Sequence, residues 1–366
     1  MGKVVGILSM QKVLNYGSYL QAYALKQLLL KNGASSVYFI DIEEGRPLPG
    51  FHDSDSVSSS FKNKVKNAIK AGNLISKIKD FIFIRRVYKK IISSYPQLGI
   101  YDKCGRTYDL AVIGSDEVFN CCQTSTWGYT SQLYGCIPQA QEVISYAGSF
   151  GHTTLEQLKE HELVDEIGKT MLTMKAISVR DQNSYEIVEK ITGTQPLLHV
   201  DPVLAYGYID EISQISEDNI DEYLLVYSYH TRIKDKDEIN NIIKYARSKR
   251  LKIYSIYCRY DWCDKAIVPE TPIEVLTYFK KAKYVVTDTF HGTIFSIITK
   301  SNFCTILRNN NRQKLVSLLE HFNLDNRFMN SGAFDKIFSN NINYQQVDYI
   351  LQEDRIRTTE YLKKYL

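Results

Sequence analysis

The chain has 366 residues, 44% of them hydrophobic and 23% charged, which suits a globular protein with room for two cores. A formal charge of +4 is too small to point to nucleic acid, and no apolar stretch approaches the ~20 residues that span a bilayer. The seven cysteines (Cys104, Cys121, Cys122, Cys136, Cys258, Cys263 and Cys304) are odd in number, scattered and without CxxC pairs, so reduced thiols and no metal site are expected.

The opening MGKVVGILSM carries an apolar run only about a strand long and no small-residue cleavage pattern, so a cytoplasmic chain is expected. Residues 4–8 read as a strand, apolar on both faces as buried parallel strands are. NYGSYLQAYALKQLLLKNG then places Leu20, Tyr23, Ala24, Gln27 and Leu28 at helical spacing and stops at Gly33, with a second strand at 37–42. This is a βαβ opening. Residues 50–65 are polar and Ser-rich, and between Lys62 and Lys90 the chain carries ten Lys or Arg against one Asp. Val65, Ile69, Leu74, Ile78, Phe81 and Ile82 lie among those cations. Two readings fit: a helical hairpin with a solvated basic face, or a peripheral patch that meets anionic lipid at the inner membrane face or an anionic glycan.

Strand signals resume at 110–113, 143–147, 176–179 and 197–200, with helical runs at 154–173 and 181–192. After an acidic, aperiodic stretch at 206–222, the alternation repeats. Strands fall at 224–229, 251–257, 284–287 and 303–307, and helices at 236–250, 272–281 and 291–300. The expected class is α/β: two Rossmann-like domains facing a central cleft. The division expected is an N-terminal domain over 1–205 with a basic helical insertion at about 60–95, a linker at 206–222, a C-terminal domain over 223–342, and a helix at 343–366 that packs back on the first domain.

Ligands in such sheets bind beyond the carboxyl ends of the strands, so the polar residues there are the candidates. After the first strand come Asn15, Gly17 and Ser18. After LAVIG come Ser115, Asp116, Glu117 and Asn120. VISYA is followed by Gly148, Ser149 and Gly151, AISV by Arg180 and Asp181, and LLHV by Asp201 and Pro202. After YVVT come Asp288, Thr289, His291, Gly292 and Thr293. Several have structural readings of equal standing. Ser18, Ser115 and Asp181 are good helix caps, the glycines permit tight turns, and Asp-Pro is a common turn former. Arg180 is harder to dismiss, because an Arg directly after a buried strand must meet an acid or face the cleft. His291 sits where a helix begins, a place that favours neutral imidazole and bound anions, so it suits general acid/base work. The glycine pattern is neither a P-loop nor GxGxxG, so no dinucleotide is indicated, although backbone N–H groups there can hold an anion.

Taken in order, NYGSYLQAYAL, DLAVIGSDEVFN, SYAGSFG, AISVRDQNS, HVDPVL and VVTDTFHGTIFSI resemble the polysaccharide pyruvyl transferase family from residue 1 to about 310. Each piece is weak alone and specific as a set. The resemblance implies the type B glycosyltransferase arrangement of two Rossmann-like domains. It also implies transfer of an enolpyruvyl unit from phosphoenolpyruvate, the donor substrate in place of any cofactor, to hydroxyls of a cell-surface polysaccharide or lipid-linked glycan precursor. His291 matches the motif histidine and is the expected general acid, with Asp116 as the carboxylate for the acceptor hydroxyl. Arg180 matches the arginine expected to clamp the donor phosphate or carboxylate. Asn15, Gly17, Ser18, Ser115, Thr289, Gly292 and Thr293 complete the expected donor site, and Glu117, Asn120 and Ser149 the acceptor side.

One departure bears on the donor. Relatives carry an arginine two places before the motif histidine, and this chain has Thr289. Arg259, Arg308 and Arg312 are the candidates for a compensating cation, each after a strand. Two other readings stay open: a nucleotide-sugar glycosyltransferase of the same fold, and a non-catalytic glycan-binding or assembly protein.

Overall fold

The computed structural model describes residues 2–51, 74–100, 105–123, 127–216, 222–229, 232–309, 311–329 and 334–366. In the first half the strands are β1 (Val4–Leu8), β2 (Ser36–Phe39), β3 (Tyr108–Ile113), β4 (Ala140–Ser145), β5 (Ser178–Val179) and β6 (Leu197–Leu198). The helices are α1 (Tyr16–Lys31), α2 (Leu74–Ser93), α3 (Tyr95–Leu98), α4 (Leu155–Glu160), α5 (Val164–Met171), α6 (Gln182–Thr192), α7 (Pro202–Tyr206) and α8 (Ile209–Ser213). In the second half the strands are β7 (Tyr223–Tyr227), β8 (Lys252–Ile256), β9 (Lys265–Ile267), β10 (Tyr284–Thr287), β11 (Phe303–Ile306) and β12 (Phe328–Met329). The accompanying helices are α9 (Lys236–Ser248), α10 (Val275–Lys281), α11 (Phe290–Ile298), α12 (Arg312–His321), α13 (Phe334–Ser339) and α14 (Tyr344–Tyr365).

The first sheet runs β2-β1-β3-β4, and single bridges from Ile144 to Ala176 and from Gly148 to Val179 extend it to β5 and β6. The second runs β12-β11-β10-β7-β8-β9. Every pairing between these strands is parallel. Counted from β7, the second order is the 3-2-1-4-5-6 of a Rossmann domain, and the first matches its 2-1-4-5-6 portion with β6 added at the far edge. These two Rossmann-like domains, facing each other across a cleft, form the type B glycosyltransferase arrangement.

The sequences of the strands explain their place. VVGIL and YLLVY are apolar on both faces and sit in sheets covered on both sides. One apolar cluster joins Val5 and Ile7 of the first sheet to Leu225 and Val285 of the second, and separate clusters fill the two outer faces. Helix α11, predominantly apolar, is wholly buried. The C-terminal helix α14 crosses between halves. Its Tyr344 hydroxyl donates to the Ser301 carbonyl at 2.5 Å, while that of Tyr361 donates to Ser145 O at 2.6 Å in the first sheet.

Several local expectations are corrected. The helical run at 154–173 is two helices, broken where Glu162 takes a positive φ of 56°. In the basic segment, Leu74–Ser93 is one helix, while residues 62–73 of the expected hairpin lie outside the described residues. The stretch at 206–222 opens with helix α8, and Tyr208 between α7 and α8 is fully buried, donating to Leu20 O at 2.6 Å. Strands β9 and β12 and helices α12 and α13 had no clear periodicity in sequence.

Candidate active site

Both sheets reverse strand order at a point where polar loops meet. In the first, the reversal lies between β1 and β3, and the chain beyond those strands supplies Asn15, Ser18, Asp116 and Glu117. In the second, it lies between β7 and β10, and supplies Tyr229, Arg232, Phe290 and His291. Together with Arg180, Asn311, Lys314, Met10, Val13, Gln123 and Trp127 they line one cleft of about 320 Å³. A cleft fed by two such switch points is where an α/β protein binds its ligand.

On the first wall, Asn15 caps α1 by accepting from Ser18 N at 2.7 Å, and its amide donates to Ser18 Oγ at 3.0 Å. Ser18 Oγ in turn donates to Asp116 Oδ2 at 3.2 Å. Asp116 holds φ at 74°, a left-handed conformation that Asp tolerates, and this aims its carboxylate at the cleft rim. Its Oδ1 accepts from Arg180 Nη2 at 3.3 Å. The Arg180 Nη1 group reaches the fully buried Asp201 at 2.9 Å, and the guanidinium lies 4.5 Å from the Phe290 ring centre. Arg180 is thus paired with two acids and stacked, a rigid cation in a desolvated place.

His291 arrives from the second domain at the first turn of α11, whose cap is Thr289. Its ring rests on Gly17 in the first turn of α1. A methyl group at residue 17 would lie 2.4 Å from both Cγ and Nδ1 of the imidazole. Only a glycine lets the two domains approach this closely. Nε2 is buried without a hydrogen-bond partner and stands 3.6 Å from Asp201 Oδ2, an electrostatic contact longer than a hydrogen bond. Burial alone would raise the Asp201 carboxyl. The His291 ring, Arg180 and the Val203 N–H outweigh it and hold the group below its ordinary value.

The remaining cations are Lys314 and Arg232. Lys314, on α12, meets Glu117 at 2.6 Å and lies 5.7 Å from the Phe290 ring centre. Burial opposes the charge on Glu117, but Lys314 and the Asn120 amide prevail and bring its pKa down to about 2. Arg232 stacks over Tyr229 at 4.7 Å and donates to the Asp288 carbonyl at 3.3 Å. Among the described residues it has no carboxylate partner.

Of the residues singled out in sequence, the structure therefore gathers Asn15, Gly17, Ser18, Asp116, Glu117, Arg180 and His291. The others lie behind the wall. Ser115 is buried and donates to Gln21 Oε1 at 3.0 Å, and Ser149 donates to Asp181 Oδ2 at 2.5 Å. Asn120 binds Glu117 and accepts from Thr153 at 2.7 Å. Thr289 is a buried cap that accepts from Gly292 N at 2.9 Å, which occupies the Gly292 N–H, and Thr293 donates to Thr289 O at 3.0 Å. Neither Arg259 nor Arg308 reaches the cleft wall. Arg259 pairs with Asp80 and Asp261, and Arg308 binds Glu238 with both Nη groups and Asp288 with Nε. Arg312 opens α12 and is exposed, without a place in the wall. Asp201, read in sequence as a turn former, caps α7 by accepting from Val203 N at 3.0 Å and also underlies Arg180 and His291.

Sequence reasoning missed Arg232, Lys314, Tyr229, Phe290 and Asn311. Arg232 lies five residues past its strand, and Lys314 sits on a helix that followed the last recognised strand. The signal available was the rule already in use, that strand ends carry the site, extended a few residues farther. Among the described residues no group of His, Cys, Asp or Glu is placed to hold a metal ion.

The polysaccharide pyruvyl transferase family matches residues 15–310. No curated protein matches the sequence closely enough to stand as a relative. Among solved structures, the chain is similar to UDP-GlcNAc 2-epimerase from Neisseria meningitidis bound to UDP-GlcNAc, with 8% identity, a TM-score of 0.48, and coverage of 99% of this chain and 98% of that one. A putative UDP-N-acetylglucosamine 2-epimerase from Listeria monocytogenes gives 8%, 0.48, 99% and 91%. An E. coli heptosyltransferase with ADP-2-deoxy-2-fluoro heptose gives 14%, 0.35, 83% and 88%. The family match spans most of the chain: it belongs to the polysaccharide pyruvyl transferase family.

Proposed function

We propose that this transferase moves the pyruvyl unit of phosphoenolpyruvate onto hydroxyls of a polysaccharide or a lipid-linked glycan precursor and closes a pyruvate ketal. The observation that carries the donor reading is Arg232: a cleft guanidinium stacked on Tyr229, held by the Asp288 carbonyl, and uncompensated by acid among the described residues. It supplies the cation that Thr289 does not. A donor with a phosphate and a carboxylate needs such groups, and Arg180 and Lys314 stand in the same cleft.

The chemistry follows from placement. Arg232 and Lys314 take the phosphate, with Lys314 exchanging Glu117 for the donor. Arg180, locked by Asp116 and Asp201, presents its remaining N–H groups to the carboxylate. With Nε2 buried, Nδ1 beside Gly17 is the ring nitrogen that passes a proton to the donor methylene carbon. The first acceptor hydroxyl adds to the neighbouring carbon, and its proton goes to Asp116. The bond from that carbon to the phosphate oxygen breaks, and inorganic phosphate leaves with the Asp116 proton. A second hydroxyl adds at the same carbon, closes the ketal, and returns its proton to His291. Asp201 acts as a positioning residue that faces Nε2 and keeps the ring in register.

Titration calorimetry tests the donor. Phosphoenolpyruvate should bind the intact protein, and Arg232→Ala should weaken it about tenfold or more. A UDP-sugar that binds while phosphoenolpyruvate does not would overturn the reading.

A further inference from the structure

Helix α2 takes no part in the chemistry above, yet it presents an unusual outer face. Inward, Phe83, Val87 and Ile91 are buried in the main apolar cluster, with Ile84 and Tyr88 packed beside them. Outward, Ile75, Ile78 and Ile82 are 72%, 49% and 53% exposed. Their spacing of three and four residues places them on one stripe. Around the stripe stand Lys79, Arg85, Arg86 and Lys89, all exposed and none paired with a carboxylate among the described residues. The helix's other charges fasten it instead. Asp80 accepts from Arg259 at 2.9 Å, Lys90 pairs with Glu270, and Ser76 donates to Asp261 at 2.5 Å.

A helix held down by its inner face and its ion pairs, and showing isoleucines ringed by cations, has two needs at once. The isoleucines need an apolar medium and the cations need anions. Nucleic acid would satisfy only the second. An anionic bilayer interface satisfies both, because acyl chains begin just below a layer of phosphates. We propose that α2 docks on an anionic lipid surface, with Ile75, Ile78 and Ile82 entering the headgroup boundary and the flanking Lys and Arg side chains meeting lipid phosphates. The helix that carries this face is fastened beside the cleft. Arg259 and Asp261, which hold α2, follow β8, and Tyr257 at the same strand end meets the cleft tyrosine Tyr229 edge to face at 5.4 Å. This arrangement suits an acceptor carried on lipid, and the docking itself does not depend on the donor assigned above.

Cosedimentation of the full chain with vesicles provides the test. The protein should pellet with vesicles of equal parts phosphatidylcholine and phosphatidylglycerol, not with phosphatidylcholine alone, and salt should weaken the binding. Lys79→Gln with Arg86→Gln removes two surface charges and should lower partitioning about tenfold or more. Ile78→Asp with Ile82→Asp should lower it at least as much. Phosphoenolpyruvate affinity and circular dichroism should stay as in the unaltered protein for both double variants, which separates docking from folding and from the cleft. Failure to pellet, equal binding to neutral vesicles, or full binding by both double variants would overturn the proposal. So would a stable dimer that Ile78→Asp dissociates, or binding to duplex DNA in place of vesicles.

Discussion

At the scale of single residues, the contact that defines the site is between Gly17 and His291. A Cβ on residue 17 would stand 2.4 Å from the imidazole, and the ring is boxed by Asp201 on its other side, so it must swing away. Gly17→Ala should therefore fold, because residue 17 lies in an ordinary helical turn, but lose roughly a hundredfold in kcat, the usual cost of a misplacement near 1 Å. Turnover and donor affinity measured side by side check this; an unchanged kcat would show that the imidazole's seat is immaterial. Sequence alone reached His291, Arg180 and Asp116 because each lies within four residues of a strand end. It could not reach the purpose of Gly17, since nothing local ties residue 17 to residue 291. Thr289 was misjudged for a similar reason. Its hydroxyl is spent on capping α11, and Arg232, the cation proposed in its stead, is marked by no nearby pattern.

At the scale of elements, α12 closes the cleft by bringing Lys314 to Glu117 across the two domains. The Glu117 carboxyl sits near 2 in the folded chain against an ordinary 4.5, so the folded state binds the proton more weakly than the unfolded one. The stability it brings is complete above about pH 4.5 and drains away as the pH falls toward about 2. It amounts to on the order of 2–3 kcal/mol. Glu117→Gln should flatten the acid limb of the stability curve in that window and leave the slope above pH 5 unchanged; chemical denaturation across pH reads it directly. Helix α12 was not legible beforehand, since RNNNRQKLVSLLEH has three asparagines at its entry and only a short apolar stripe. By contrast α1, α11 and the strands beneath them were legible from their runs of buried residues, which no loop could carry.

At the scale of the molecule, two parallel sheets share one apolar cluster, and α14 ties them together from outside. Tyr361 fills that joint, buried and donating to Ser145 O, with His199 and Tyr146 packed around it. Tyr361→Ala should cost about 3 kcal/mol and lower the denaturation midpoint of the whole chain in one step, since the cavity opens between α14 and the first sheet. Alternating strands and helices announced this architecture in sequence, because buried parallel strands must be apolar on both faces. The split between α4 and α5, made by the left-handed turn at Glu162, was beyond that signal. The central claim, that the cleft transfers a pyruvyl unit, is met most directly by incubating the protein with phosphoenolpyruvate and free or lipid-linked saccharides, then following released phosphate together with the mass of the glycan. The account predicts phosphate release matched by a pyruvate ketal's gain in mass, both abolished by His291→Ala; hexose transfer from a UDP-sugar, or glycan binding with neither product, would contradict it.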